Sequence, residues 1–219
     1  IVISSYISAE KYDSAAYLDG ILLSYITFIG VVIAAFISLF IGTEYSDGTI
    51  RNKLIVGHRR SAIYISNFII SSVASIIISA SFMLTITVIG LPLKMILMSE
   101  ASTILVTILS GFVLCLSFTG IFTLVAMLCQ NKAAVAVICV VSAFALLMVA
   151  SYLVAALSEP ELINEYYYDA QTDDWIMGEL VPNQRYVGGI KREIFEFLND
   201  FLPGGQAIQI SQAQIDTPW

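Results

Sequence analysis

Four long runs without a charged residue divide the chain, and short polar segments separate them. The runs cover about residues 21–43, 61–93, 101–131 and 133–158. A helix needs about 20 apolar residues to cross the roughly 30 Å hydrocarbon core of a membrane, and every run reaches that length. The pattern predicts four membrane-spanning helices within a single transmembrane domain, residues 1–219.

The composition supports this prediction. Hydrophobic residues make up 58% of the sequence and charged residues only 12%, and the mean hydropathy is +0.86. A soluble domain carries about 25% charged residues, so these values are typical of an all-α integral membrane protein.

A charged loop, residues 44–60 (EYSDGTIRNKLIVGHRR), separates the first two runs. The loop predicts a short helix that Gly57 ends in a left-handed conformation. Ile50 and Leu54 lie four residues apart and share one face of it. So short a helix is unstable alone in water, so we expect it to pack against lipid head groups or a partner protein. The expected capping residues are Ser46, Asp47 or Thr49 for this helix and Ser61 for the next one.

The loop resembles the cytoplasmic loop of type-2 ABC exporter permeases, in which a coupling helix rests on the ATP-binding subunit. An acidic residue, a Gly-Thr pair, a basic helix and a basic exit follow in the same order, and GTIRNKL carries most of the likeness. The spacing of the apolar runs and the later segment YVGGIKREIFEFLNDFLPGGQAIQIS extend it. The residues expected to couple to the ATPase are Glu44, Gly48, Thr49, Ile50, Arg51, Lys53, Leu54, Gly57, Arg59 and Arg60.

This resemblance implies a permease subunit that forms a translocation pathway in a bacterial cytoplasmic membrane. A separate ABC ATPase subunit would bind ATP and magnesium, and a second permease copy or a related permease would complete the transporter. The resemblance also implies six spans, so we expect one further span before Ile1 and one after Trp219. Ile50 or Leu54 is the expected apolar anchor, with Arg51 and Lys53 making peripheral polar contacts.

Other interpretations of the same loop stay open. The chain fits a membrane scaffold that does not transport anything and recruits some other cytoplasmic partner through residues 44–60. An ordinary basic loop beside a membrane is a plainer reading. An ion-coupled carrier would need charged residues or broken helices in further spans.

The distribution of basic residues predicts the orientation. Half of the ten Lys and Arg residues lie in the 44–60 loop and the turn at Lys132, whereas the others are spread among most of the acidic residues. Short loops rich in Lys and Arg stay in the cytoplasm, so we expect 44–60 to be cytoplasmic and 159–219 to be exterior. The net charge of −7 then belongs to the exterior side and does not indicate nucleic-acid binding.

The sequence contains no motif for chemistry of its own. Neither a nucleotide-binding GxxxxGK[ST] nor HExxH or GxSxG occurs, and no carboxylate lies within the four runs. The three cysteines lie within the runs, which excludes a zinc ribbon built from cysteines outside the membrane. We therefore expect no catalytic residue, metal or cofactor on this chain, and no enzyme activity without a partner.

Small and hydroxyl residues recur every four positions in the second and third runs. Such rows let helices approach closely and hydrogen-bond to each other, although part of a translocation pathway is the alternative. A four-residue step drifts about 40° per step, so a long row winds around its helix. The residues concerned are Ser71, Ser75 and Ser79, and then Thr103, Thr107, Gly111, Cys115, Thr119 and Thr123.

The segment 159–219 begins with a mixture of acidic and aromatic residues, for which a solvated acidic rim is a better reading than a calcium loop. Residues 191–202 then predict an amphipathic helix that Pro203 and the glycines after it end. Its apolar stripe is expected to lie in the membrane interface or against the exterior ends of the spans. The stripe consists of Ile194, Phe197, Leu198 and Phe201, and Glu193, Glu196 and Asp200 are expected to stay wet.

Overall fold

The computed structural model describes residues 18–93, 95, 100–129, 131–169 and 174–212. Within these residues the chain is mostly helical, with two strands near its carboxyl end. The elements are α1 Asp19–Leu22, α2 Ile26–Ser46, α3 Thr49–Ile55, α4 Arg60–Gly90, α5 Ala101–Leu128, α6 Lys132–Leu157, β1 Leu162–Asp169, β2 Asp174–Pro182, α7 Ile190–Phe201 and α8 Pro203–Gln212.

Four of these helices, α2, α4, α5 and α6, are long and apolar enough to cross a membrane. The prediction of a multi-pass, mostly helical membrane protein is therefore confirmed. The first span is displaced toward the carboxyl end of its run, since a tight turn follows α1 and the continuous helix begins at Ile26. It continues to Ser46, which places Glu44 on the span helix instead of in the loop.

Helix α2 occupies the centre of the bundle. Half of its most apolar window is buried within the chain, against 17–28% for the other three spans. One row of isoleucines on α2 packs against the stacked rings of Phe118 and Phe122 on α5. Gly30 lies in this contact, where an added Cβ would approach the Phe118 ring to 2.8 Å. The row consists of Ile26, Ile29, Ile33, Ile37 and Ile41, each at most 1% exposed.

Helices α4 and α5 form a second, more polar interface. The Ser75 and Thr119 hydroxyls lie 2.9 Å apart across it. Eight residues further toward the 44–60 loop on each helix, the Asn67 amide contacts the Met127 sulfur at 3.8 Å. The two helices are antiparallel, so contacting residues that lie earlier on α4 lie correspondingly later on α5.

An antiparallel hairpin of β1 and β2 follows the last span, and the sequence analysis did not anticipate it. Leu162 pairs with Pro182 and Ile163 with Val181, and a register shift lies between Asn164 and Tyr166. The two runs of aromatic and branched residues on either side of a short polar sequence are the pattern that would have predicted it. The predicted acidic rim consists of Glu159, Glu161, Glu165, Asp169, Asp173 and Asp174, of which Asp173 lies outside the described residues.

The predicted amphipathic helix is present as α7, with bounds close to those expected. Three of the four stripe residues are largely exposed within this chain: Ile194, Phe197 and Phe201 are 51%, 64% and 69% exposed, whereas Leu198 is half-buried. The aromatic contact with α6 comes from a residue outside the stripe, since Phe195 packs edge-on against Tyr152. Helix α8 then turns back into the bundle and packs against α2, α5 and α6.

Candidate functional site

The 44–60 loop begins with a sharp reversal between α2 and α3. Gly48 takes a left-handed conformation at φ 71° and occupies the N-cap position of α3. No side chain caps this helix, so the predicted caps at Ser46, Asp47 or Thr49 are wrong. Ser46 still belongs to α2, and Thr49 is already the first helical residue. A backbone that reverses at a glycine leaves no extended residue before the helix to place a capping oxygen.

The end of α3 matches the prediction at Gly57. Its φ of 98° lies in the left-handed region that glycine adopts at little cost. The His58 amide donates to the Lys53 carbonyl and the Gly57 amide to the Leu54 carbonyl, both at 3.1 Å. This pair of bonds is a Schellman motif, and it fixes where the chain leaves α3. The next helix has Arg59, not Ser61, as its N-cap, because α4 already begins at Arg60.

An ion pair ties α3 to the spans. Lys53 Nζ lies 2.6 Å from Glu44 Oε1 on α2. The other carboxylate oxygen, Glu44 Oε2, accepts a hydrogen bond of 2.9 Å from the amide of Asn67 on α4. Asn67 is fully buried. Three helices therefore meet at one carboxylate, and a charge-assisted bond of this kind is stronger than a neutral one.

The structure shows what two residues of this helix contact within the chain. Lys53 pairs with the Glu44 carboxylate, and its side chain stays 33% exposed. Ile50 is not an exposed anchor, because it is only 5% exposed and packs into the core around α2. Sequence reasoning also missed Asn67. Its position as an amide inside an otherwise apolar run was the available signal.

The remaining apolar side chains of α3 face outward. Leu54, Ile55 and Val56 are 37%, 71% and 78% exposed. We call these three residues the α3 patch. Arg51 on the same helix and Arg59 and Arg60 just after it are also exposed, and we call these three arginines the basic rim of the patch. An apolar patch with a basic rim is suited to a protein surface that offers an apolar pocket with acidic edges.

A shallow groove of about 450 Å³ runs beside α3 along the last turns of α2. Phe36, Leu39 and Phe40 form its apolar side, whereas Glu44 and Asp47 give it an acidic end. At the same end of the bundle, Tyr45 connects α2 to α5 by donating a hydrogen bond of 2.8 Å to the Met127 carbonyl.

The predicted rows of hydroxyl residues lie mostly between α4 and α5. The row on α4, Ser71, Ser75 and Ser79, is fully buried. In the row on α5, Gly111, Cys115, Thr119 and Thr123 are buried. Thr103 and Thr107 lie toward the outside, with the Thr107 hydroxyl bonded to the Thr103 carbonyl. The row winds around α5, which explains why its first two residues lie outside and the other four are buried. The buried residues face a neighbouring helix of the same chain.

Among the residues described, no three His, Cys, Asp or Glu side chains converge as a metal site. Comparison with family models, with curated proteins and with solved structures gives no match for this chain. The likeness to type-2 ABC exporter permeases therefore stays a resemblance of sequence.

Proposed function

We propose that this chain is the membrane-spanning permease subunit of an ABC exporter. In this proposal it lies in the cytoplasmic membrane of a bacterium, with the 44–60 loop in the cytoplasm and the β1–β2 hairpin outside. A separate ATPase subunit binds ATP and magnesium and docks on α3. A second permease copy or a related permease completes the translocation pathway.

The observation that carries the proposal is the way α3 is built. The helix has seven residues, too few for stability in isolation, yet it is fixed at both ends by left-handed glycines and in the middle by the Lys53–Glu44 pair. Its fixed position presents the α3 patch to the solvent beyond the spans. A partner that pushes on this patch also pushes on α2 and α4, because Glu44 and Asn67 connect them to α3.

Binding energy at such a surface is expected to come from the apolar residues. Burying one aliphatic side chain contributes roughly 1.5–3 kcal/mol, and a carboxylate placed there has to be desolvated as well. Arginines at the rim contribute more to the rate of encounter than to the lifetime of the complex.

The experiment compares three variants of the full-length protein at equal membrane expression. Leu54→Asp and Ile55→Asp are each expected to weaken ATPase association about tenfold or more, since 1.4 kcal/mol corresponds to a factor of ten. Arg51→Ala, an exposed residue on the same helix, is expected to have a much smaller effect. Co-purification of the ATPase and its stimulated ATP hydrolysis are the measurements.

Each outcome decides between the proposals. Full ATPase association and coupled turnover in both aspartate variants would contradict docking through the α3 patch. Recovery of another protein in place of an ATPase, lost in the same two variants, would favour the scaffold function that recruits a different cytoplasmic partner.

A further inference from the structure

Three hydroxyl groups on α4 and α5 are buried without a hydrogen-bond partner among the described residues, those of Ser71, Ser72 and Thr123, and two of these residues, Ser71 and Thr123, are fully buried. Half of the Ser and Thr side chains along α4 and α5 donate to the carbonyl four residues earlier, as Ser75 does to Ser71 and Thr119 to Cys115, both at 2.7 Å. Ser71 and Thr123 do not, although each is fully buried. Neither hydroxyl has a hydrogen-bond partner among the residues that the structure describes.

These two hydroxyl groups lie opposite each other. On α4, Ser71 is midway between Asn67 and Ser75. On α5, Thr123 is midway between Met127 and Thr119. Because Asn67 contacts Met127 and Ser75 contacts Thr119, the antiparallel register places Ser71 and Thr123 at the same level of the interface.

Another unpaired atom lies one helical turn away. Asn67 Nδ2 donates to the Glu44 carboxylate, which fixes the orientation of the amide. The other amide atom, Asn67 Oδ1, is buried and has no partner within the described ranges. If the level is taken to include the turn of α4 from Asn67 to Ser71, together with Thr123 on α5, it combines one obligate acceptor with two hydroxyl groups that can either donate or accept.

We infer that this level is a binding site for one ordered water molecule, which donates to Asn67 Oδ1 and bridges the Ser71 and Thr123 hydroxyls. A buried water typically makes about three hydrogen bonds to polar groups that would otherwise be unpaired, and the site offers three such groups. A metal cation is a poorer occupant. The nearest carboxylate, Glu44, is already neutralised by Lys53, so no unbalanced negative charge offsets the cost of dehydrating a cation within a membrane.

The water site extends the polar connection that begins at the 44–60 loop. Lys53, Glu44 and Asn67 already link α3, α2 and α4, and the water adds α5 through Thr123. This connection is independent of which partner docks on α3, so its test does not depend on the proposed function.

Thermal unfolding of the purified full-length protein in detergent distinguishes a hydrated site from a dry one, because the change in Tm caused by Thr123→Val is expected to differ between them. Val has the shape of Thr without the hydroxyl. If water binds, Thr123→Val lowers the Tm by about 3 °C or more, because it leaves the water and its other partners short of a bond. If the site is dry, removing an unpaired buried hydroxyl raises the Tm or leaves it unchanged, and the inference fails.

Matched variants make this measurement specific. Thr123→Ser keeps the hydroxyl and is expected to retain most of the stability. Thr107→Val removes a hydroxyl that is only half-buried and is expected to change little. Ser71→Ala is expected to lower the Tm, and the Ser71→Ala and Thr123→Val double variant is expected to lose less than the sum, because both residues hold one water molecule.

Two further results would overturn the inference. A higher Tm of the unaltered protein in sodium chloride than in choline chloride, absent in Thr123→Val, would identify a cation instead of water. A high-resolution map in which Ser71 and Thr123 bond directly, without a solvent peak in contact with Asn67 Oδ1, would show that the side chains satisfy each other. A solvent peak in contact with all three atoms is the expected result.

Discussion

Both ends of the bundle expose an apolar stripe on a short helix, but the two stripes differ in their surroundings. The α3 patch lies beyond the ends of the spans and has a rim of arginines. The stripe of α7 lies beside α6, where Arg192 donates to the Leu157 carbonyl at 3.4 Å, and it is flanked by Glu193, Glu196 and Asp200.

This difference indicates different occupants. Helix α7 packs against α6 through Phe195 and Tyr152, and α6 itself exposes apolar side chains such as Met148, at 73%. An apolar stripe beside a span with exposed apolar side chains is suited to the membrane itself. The α3 patch is followed closely by Arg59 and Arg60, and a three-residue apolar surface with charged neighbours is suited to a protein partner. The apolar character of an exposed stripe thus does not identify what covers it. The position of the stripe relative to the spans does.

The largest expected effect concerns the sides of the membrane on which the two ends lie. After replacement of the native cysteines, Asn52→Cys on α3 is expected to react with an impermeant thiol reagent only from the cytoplasmic side. Glu161→Cys, beside the hairpin, is expected to react only from the exterior. The measurement is labelling of intact cells against inverted membrane vesicles. Labelling of Asn52→Cys in intact cells would reverse the orientation and remove the ATPase from consideration.

A second prediction separates the buried and exposed faces of α3. Ile50→Asp is expected to cost about 4 kcal/mol or more, since it places a carboxylate in the core around α2. Ile55→Asp, on the exposed face, is expected to change the free energy of unfolding by no more than about 0.5 kcal/mol. The measurement is the yield of folded protein after detergent extraction, by size-exclusion chromatography. Equal yields would mean that Ile50 is not a core residue.

The sequence predicted the features that depend on short stretches of chain. The spans follow from run length, and the end of α3 follows from Gly57, since both are decided by local chemistry. The sequence did not show which of Ile50 and Leu54 is buried and which is exposed, because both lie on one face of α3 and only the packing against α2 distinguishes them. The contact of Glu44 with Asn67 joins residues 23 positions apart, and the β1–β2 pairing likewise depends on contacts between separate segments.

A third prediction concerns the Lys53–Glu44 pair. Lys53→Met is expected to cost about 1–3 kcal/mol, because it leaves a largely buried carboxylate with Asn67 as its remaining partner. Adding Glu44→Gln is expected to restore part of this loss, since it removes the unpaired charge. Arg51→Met is the matched control on the exposed face. Thermal unfolding of the unaltered protein, the two single variants Lys53→Met and Glu44→Gln, their double variant and the Arg51→Met control checks the prediction, and purely additive losses for the pair would show that the two residues do not interact.

The smallest expected effect concerns the stripe of α7 and tests whether lipid covers it. Phe197 is 64% exposed and stacks on Phe201 with ring centroids 5.7 Å apart, so Phe197→Trp is expected to change stability by less than about 1 kcal/mol. With Trp175 and Trp219 replaced by Phe, this tryptophan reports on its surroundings alone. In nanodiscs we expect a blue-shifted emission that lipids brominated on their acyl chains quench strongly.

The matched control is Glu179→Trp on the exposed hairpin, which is expected to emit at the wavelength of a hydrated indole and to resist quenching. If Phe197→Trp behaves in the same way as this control, the stripe faces water, and the contrast with α3 is lost. If it is blue-shifted but not quenched, a protein surface covers α7, which is the occupant proposed only for the opposite end of the bundle. Strong quenching at Phe197 and its absence at Glu179 would assign the α7 stripe to the bilayer.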